Sequence, residues 1–430
     1  MSGAPPLIPV PGAPRPVLAG FSGGLDSTVL LHLLAANAPL HRGLRAIHVH
    51  HGLHPEADDW AAHCRSACAA LGIALQVVRV DVVRDRGDGP EAAARAARHD
   101  AYAAQLREGE VLALAHHRDD QAETFLLRAL RASGPDGLAA MQAFRRYAGG
   151  WLWRPLLDTP RAALLAHAQA AGLQWIEDSS NADPRFDRNF LRTAVLPILQ
   201  ERWPHAAAAF ARSAELCGEA VALLDAEDER ALAAAITDDA AVLDARRLAG
   251  LPPPRRARVL RRWIASLGLP PLPANGVAQV EAGLLDASPG VSATFAWSGT
   301  CLRRWRDRLH AGVECTPLPA DWGQDWDGAA PLVLPDGGLL ALQGGHRLPA
   351  PVRVHARRGG ERITLPGRVH SHALKHLLQE AGIPPWQRGH LPLLSGEDGT
   401  LLAAGDRIVS ATLAGWLQAN VARLCWTPPR

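Results

Sequence analysis

Lysine is nearly absent from this chain: of the 45 basic residues among 430, Lys375 is the one lysine and the other 44 are arginines. The bias is better explained by the base composition of a gene than by chemistry, but it leaves one residue for any role that needs a catalytic lysine. Long apolar runs are missing too. None approaches the roughly 20 residues that span a bilayer. The start, Met1-Ser2-Gly3-Ala4-Pro5-Pro6, has no basic segment followed by an apolar one. Secretion and membrane insertion are therefore not expected, and the reading is a cytoplasmic protein with no membrane partner. Cysteine is sparse: Cys64, Cys68, Cys217, Cys301, Cys315 and Cys425 form no disulfide-rich framework. Cys64 and Cys68 sit four apart in an expected helix beside His63, but no second ligand pair completes a metal site, so they read as packed thiols. Two common phosphate motifs are also missing, Gly-x-x-x-x-Gly-Lys-Ser/Thr and a helix-opening Gly-x-Gly-x-x-Gly.

What is present is Gly20-Phe21-Ser22-Gly23-Gly24-Leu25-Asp26-Ser27-Thr28, between an apolar run at 17–19 and a helical stretch at 28–36. A strand, two glycines and a helix start leave backbone N–H groups unpaired at the positive end of the helix dipole, a geometry that binds phosphate oxygens. A glycine turn capped by Ser27 is the plainer alternative. Further apolar runs at 44–49, 74–83 and 111–115 alternate with helical stretches at 56–71 and 91–107. This alternation predicts an α/β fold, a doubly wound parallel sheet whose ligands bind at the carboxyl ends of its strands. Two clusters fall on that edge. His48-Val49-His50-His51-Gly52-Leu53-His54 is rich in histidine but lacks metal-ligand spacing. His116-His117-Arg118-Asp119-Asp120-Gln121-Ala122-Glu123-Thr124 puts Asp120 and Glu123 on one helical face, suited to Mg²⁺ or an ammonium group. The segment 84–90 reads as a mobile loop, followed by Glu91, Arg95 and Arg98 on one helix face.

The Ser-Gly-Gly-x-Asp-Ser string resembles the pyrophosphate loop of the ATP pyrophosphatase enzymes. Further matches are Ser133-Gly134-Pro135-Asp136-Gly137-Leu138, Trp175-Ile176-Glu177-Asp178-Ser179-Ser180-Asn181 and Asp187-Arg188-Asn189-Phe190-Leu191-Arg192. Together with the two edge clusters, they resemble the tRNA(Ile)-lysidine synthetase family. Ala132, His99 and Phe186 depart from the family pattern, none of them in the phosphate loop or the acidic pair. The resemblance implies ATP-dependent ligation of L-lysine to the wobble cytidine of isoleucine tRNA with a CAU anticodon, through an adenylated base. It also implies that Ser22, Gly23, Gly24, Leu25, Asp26 and Ser27 hold the triphosphate with Mg²⁺ on Asp26, and that His48, Val49 and His50 lie near the adenine. Asp120 and Glu123 are assigned to lysine and, with Asp26, to catalysis. Arg188, Asn189, Arg192, Arg358 and Arg362 are assigned to tRNA. The oligomeric state is left open, with a homodimer as one option.

Three parts are expected: a catalytic domain over 1–204, a mostly helical tRNA-binding domain over 205–330, and a linker with a small basic α+β domain over 331–430. Nine arginines, Lys375 and five acids after residue 350 make that last part basic. Trp151 and Trp153 read as a packed edge strand. Arg255, Arg258 and Arg262 on one helical face, and Arg304, Arg306 and Arg308 in a strand, are either nucleic-acid contacts or solvated surface. The stretch 316–350 reads as a linker with a hairpin. Two rival functions stand beside the ligase: tRNA-base thiolation on the same loop, which would need reactive cysteines near it, and a tRNA-binding protein with a decayed nucleotide site.

Overall fold

A computed structural model describes residues 4–12, 15–41, 43–52, 54–81, 90–178, 183, 185–273, 275–286, 293–344 and 347–429. The expected mobile loop at 84–89, Leu53 and Ser179-Ser180-Asn181 lie outside the described residues. The chain divides into two units, Met1–Ala226 and Glu227–Arg430.

In the first unit, β1 (Val17–Gly20) is buried along its whole length, as its unbroken apolar run requires. Helix α1 (Leu25–Ala36) is apolar on nearly every face and buries eight residues. After the short α2 (Ala38–His41) come β2 (Leu44–His50), α3 (Ala57–Ala70), β3 (Ala74–Arg79), α4 (Pro90–Gln105) and β4 (Val111–Ala113). Next are α5 (Arg118–Leu130), α6 (Pro135–Leu138), β5 (Phe144–Tyr147), β6 (Gly150–Trp153) and α7 (Arg161–Ala170). The sheet order is β3-β2-β1-β4-β6-β5, parallel except for β5, which turns back along β6. The β6 strand carrying Trp151 and Trp153 is therefore internal, not at the edge as expected. The tight turn at Ala148-Gly149 hides a second strand outside it.

Residues 187–202 form α8 (Asp187–Phe190), a π turn (Leu191–Val195) and α9 (Leu196–Arg202), after which α10 (Ala206–Ala235) begins. The π turn, a rare widening of the helix found mostly at functional sites, carries Arg192.

The second unit contains a helix at Pro253–Ser266 packed with a four-stranded antiparallel sheet of Val242–Asp244, Arg308–Val313, Thr300–Trp305 and Ala293–Trp297. Beyond it are a five-stranded and a three-stranded antiparallel sheet with helices Leu374–Glu380 and Ala411–Ala419, an α+β arrangement. Two expectations change here. Within 316–350, Leu332–Val333 and Leu339–Gln343 do form the hairpin, but Gly323–Trp326 pairs with Val352–His355, so this stretch is built into the sheets. Its glycines, prolines and tryptophans conceal strands whose partners are remote in sequence. Arg306 is not in a strand but at the turn between two of them, with a positive φ of 54°, and Arg304 donates to the carbonyls of Leu284 and Leu285.

Candidate active site

The phosphate-loop residues leave β1 and enter α1 through one sharp turn. Gly20 is held by space: a Cβ there would lie 2.6 Å from Leu114 Cδ2. Gly23 is held by both space and angle, with φ of 85° and a Cβ position 2.7 Å from Ile176 Cδ1 and 3.0 Å from Cys64 Sγ. The turn is braced from inside. Ser27 Oγ donates to the Gly24 carbonyl at 3.0 Å, lies 3.0 Å from Ser22 Oγ and accepts from the Ser22 N–H at 3.3 Å. Ile176 N–H donates to the Gly23 carbonyl at 2.9 Å, which ties the 175–178 motif to the loop. The N–H groups of Leu25, Asp26 and Ser27 open the helix, where no intrahelical acceptor exists for them.

A cavity of about 560 Å³ opens over this helix end, lined by Ser22, Gly24, Leu25, Asp26 and Ser27 on one side. Arg95 and Arg98 of α4, Arg161, Arg188 and Arg192 line it as well, with Asp120, His116, Glu177 and Asp178. Five arginines and a helix N-terminus, against the carboxylates of Asp26, Asp120, Glu177 and Asp178, give the pocket places for both an anion and a cation. His48, Val49 and His50 are not among its lining residues. His48 is buried beneath the loop with Nδ1 3.0 Å from the Phe21 carbonyl oxygen and 3.4 Å from Cys64 Sγ. Val49 packs beside Tyr102 in the core, and His50 Nε2 lies 3.2 Å from Asp58 Oδ1. Burial lowers the pKa of His48, so this ring stays neutral.

The acidic pair sits at the start of α5. Its helix begins with a capping box: Asp120 Oδ2 accepts the His117 N–H at 3.0 Å, and His117 Nδ1 faces the Asp120 N–H at 3.4 Å. His117 is nearly inaccessible and ringed by carboxylates, with Nε2 3.4 Å from Asp120 and 3.6 Å from Asp26, and Nδ1 3.6 Å from Asp119. Burial opposes a charge on its ring, but the hydrogen bond to Asp26 and the fields of Asp120, Asp26 and Asp119 together raise its pKa. Burial also acts on Asp120, but His117, His116 and Arg188 hold its carboxyl below the usual range. Glu123 goes the other way: burial lifts its pKa although Arg192 works against the shift.

Arg192 binds both acids. Its Nε and one terminal nitrogen meet the two Glu123 oxygens at 2.7 and 3.0 Å, and that terminal nitrogen also donates to Asp120 Oδ1 at 3.1 Å. Arg188 adds Nε 3.2 Å from Glu123 and a 2.8 Å bond to Thr124 Oγ1. The buried Asn189 donates to the Asp183 carbonyl at 3.0 Å. In the second unit Arg358 is exposed, its backbone N–H bonding Glu361 at 2.6 Å, and Arg362 Nε donates to Ser371 Oγ at 2.9 Å.

A PP-loop domain model matches residues 9–199, a TilS substrate binding domain model matches 243–310, and a TilS substrate C-terminal domain model matches 352–426. The chain is 57% identical over 424 residues to the tRNA(Ile)-lysidine synthase of Xanthomonas campestris pv. campestris, covering 98% of this chain and 97% of that one. The chain belongs to the tRNA(Ile)-lysidine synthase family. Proteins of that name from Xylella fastidiosa and Methylococcus capsulatus are 54% and 40% identical, covering 98% and 95% of this chain and 97% and 95% of theirs. The family is one of ATP-using ligases built on the PP-loop domain.

Around this cavity, sequence reasoning missed His117, Arg161 and Arg154. His117 directly precedes Arg118, Asp119 and Asp120, and its place as the cap of an acid-opened helix was a usable signal. Arg161 Nε lies 3.7 Å from Asp26 and its N–H donates to Asp119 at 2.9 Å, but it comes from α7, and nothing local connects it to the loop. The buried Arg154 donates to His116 at 3.3 Å, and burial lowers the His116 pKa to about 3. Cys64 and Cys68 are packed in the core, as expected, and burial pushes their thiols up to about 12 and about 11. Thiols so hard to ionise are poor nucleophiles. Among the described residues no helix is long and apolar enough to cross a membrane.

Proposed function

We propose that this chain joins free L-lysine to the wobble cytidine of an isoleucine tRNA with a CAU anticodon, using ATP. The observation that carries this is that one cavity is lined by a helix-end phosphate loop, by Asp120 and by Arg192, whose guanidinium binds both Asp120 and the buried Glu123 behind it. ATP adenylates the O2 carbonyl oxygen of the cytosine and releases pyrophosphate. The lysine ε-amine then attacks C2, and AMP leaves with that oxygen. Cytosine's amide-like oxygen is a poor leaving group and AMP a good one, so activation must come first.

In this reading Ser22, Gly23, Gly24, Leu25, Asp26 and Ser27 hold the triphosphate, and loop N–H groups meet charge developing on the departing pyrophosphate. Arg95, Arg98 and Arg161 supply further positive charge. His48, Val49 and His50 belong to the base end of the nucleotide site, with His48 acting through the loop backbone at Phe21. Asp26 Oδ1 is buried and accepts no hydrogen bond, with Arg161 Nε at 3.7 Å, and this carboxylate would hold Mg²⁺. No group of three metal-binding side chains occurs among the described residues, so phosphate oxygens and water would complete the shell. Bound there, Mg²⁺ would neutralise phosphate charge. Asp120 and Glu123 receive the lysine amine, and Glu123, whose pKa burial raises, is the better proton acceptor as that amine loses its charge.

We assign tRNA contacts to Arg188, Asn189 and Arg192 near the anticodon and to Arg358 and Arg362 in the last of the three parts, 1–204, 205–330 and 331–430. A second arginine-rich cavity supports anticodon entry. Its volume is about 900 Å³, it shares Arg95 and Arg188 with the first, and it adds Arg128, Arg131, Arg145 and Arg185. The location assigned is the cytoplasm, and a homodimer remains one option for assembly. The test is incorporation of labelled lysine into a CAU isoleucine tRNA transcript, with initiator tRNA as control. Label should enter the isoleucine transcript alone, only with ATP, and not with Asp26→Ala. Pyrophosphate release without lysine transfer would sink the ligase reading.

A further inference from the structure

Glu123 is fully buried and does not line the cavity, whereas Arg188 and Arg192, which bind it, do. Any ligand that is to touch Glu123 must therefore displace an arginine. Arg192 is the one that spans the pair, with contacts of 2.7 and 3.0 Å to Glu123 and 3.1 Å to Asp120. These are the hydrogen bonds an alkylammonium group would make on two carboxylates. The two cations compete for one place.

Acids and cations alternate around the pair. Asp26, Asp119, Asp120 and Glu123 face His117, Arg161, Arg188 and Arg192. Adding a substrate ammonium puts a further positive charge beside Arg188 and Arg192, against the buried Glu123. Adding a nucleoside triphosphate at the loop puts several negative charges into the same cavity, where Arg192 is already a lining residue and already feels Asp26. Moving Arg192 to the phosphates would leave Glu123 buried without its bidentate partner, a costly state unless another cation takes its place. An incoming ammonium does so. The π turn bearing Arg192 is a widened, irregular stretch of helix and a natural point for this rearrangement.

We propose that Arg192 is an exchange cation that couples the two small substrates: it holds the amine position on Asp120 and Glu123 until a triphosphate draws it away, so that lysine binds tightly only after ATP. The inference rests on reading Asp120 and Glu123 as the amine site. Coupling of this kind is reciprocal, and lysine must tighten nucleotide binding by the same factor.

The test is binding of labelled L-lysine to the full chain by equilibrium dialysis, with and without α,β-methylene-ATP and Mg²⁺. Wild type should bind lysine about tenfold or more tighter with the analogue. Arg192→Gln should bind lysine with nearly equal affinity in both conditions, at a level close to that of wild type with nucleotide. Arg192→Lys, which keeps a charge but cannot bind bidentately, should fall between. Equal affinity of the wild type with and without the analogue overturns the exchange while leaving the amine site intact, and so does coupling that survives in Arg192→Gln. If Glu123→Gln binds lysine as tightly as wild type with the analogue present, the amine site itself is misassigned and the exchange falls with it.

Discussion

Two sets of arginines at helical spacing meet acids in this molecule, and their roles diverge. Arg188 and Arg192 bind Glu123 and Asp120 at the wall of a cavity that also holds the phosphate loop. Arg255, Arg258 and Arg262 pair in order with Glu227, Asp228 and Glu229 of the second unit, Arg258 with Asp228 at 2.6 Å and Arg262 with Glu229 at 3.1 Å. The sequence offered the first set as nucleic-acid contacts and the second as either nucleic-acid contacts or solvated surface. The second is instead a ladder joining one helix to another, and its arginines are engaged by acids of their own unit. In the first, the same chemistry lies in reach of a substrate. Spacing gives the face an arginine occupies, and the neighbouring surface gives its task.

The contrast can be broken at its strongest point by Glu123→Gln. This change removes a buried charge between two arginines and should cut lysine transfer at least about a hundredfold, while ATP binding, followed by displacement of a fluorescent nucleotide, survives. Loss of nucleotide binding as well would mean that the acid pair and the loop are one structural unit. In the ladder, Asp228→Ala should cost about 3–5 kcal/mol of stability, because Asp228 is only 2% exposed and its loss leaves Arg258 without this partner. Specific activity of the folded fraction should stay within twofold of wild type; a larger drop would give the ladder a functional role.

His117 sharpens the same comparison through pH. Its folded-state pKa is raised, so the stabilisation from its proton is complete below the unfolded value of about 6.5 and is lost as pH rises through the folded value. Thermal melts should therefore show wild type losing stability across that window, and His117→Gln should lack that part of the slope. The smallest effect belongs to the outer rung: Glu229, 70% exposed, should tolerate Glu229→Gln with less than about 0.5 kcal/mol of change in chemical denaturation.

Much of the site was legible because its parts are local. Ser22 to Ser27 form one turn, Asp120 and Glu123 share one helix face, and the apolar runs reported the parallel sheet nearly strand by strand. The edge position given to Trp151 and Trp153 failed because period and composition say nothing about which strand lies outermost. The strand at Gly323–Trp326 escaped notice because its hydrogen bonds go to Val352–His355, well beyond any sequence window.

The sequence by itself determined the chemistry available: a glycine turn that permits φ of 85° at Gly23, unpaired N–H groups at a helix start, and two carboxylates three residues apart. These follow from backbone sterics and helical period, which act over a few residues. Tertiary structure alone decided which charges meet. It brought Arg161 and His117 to Asp26, set Arg192 on Glu123, and turned His48 beneath the loop instead of into the cavity. Burial and charge proximity depend on distances between segments far apart in the chain, and only the folded packing sets those distances.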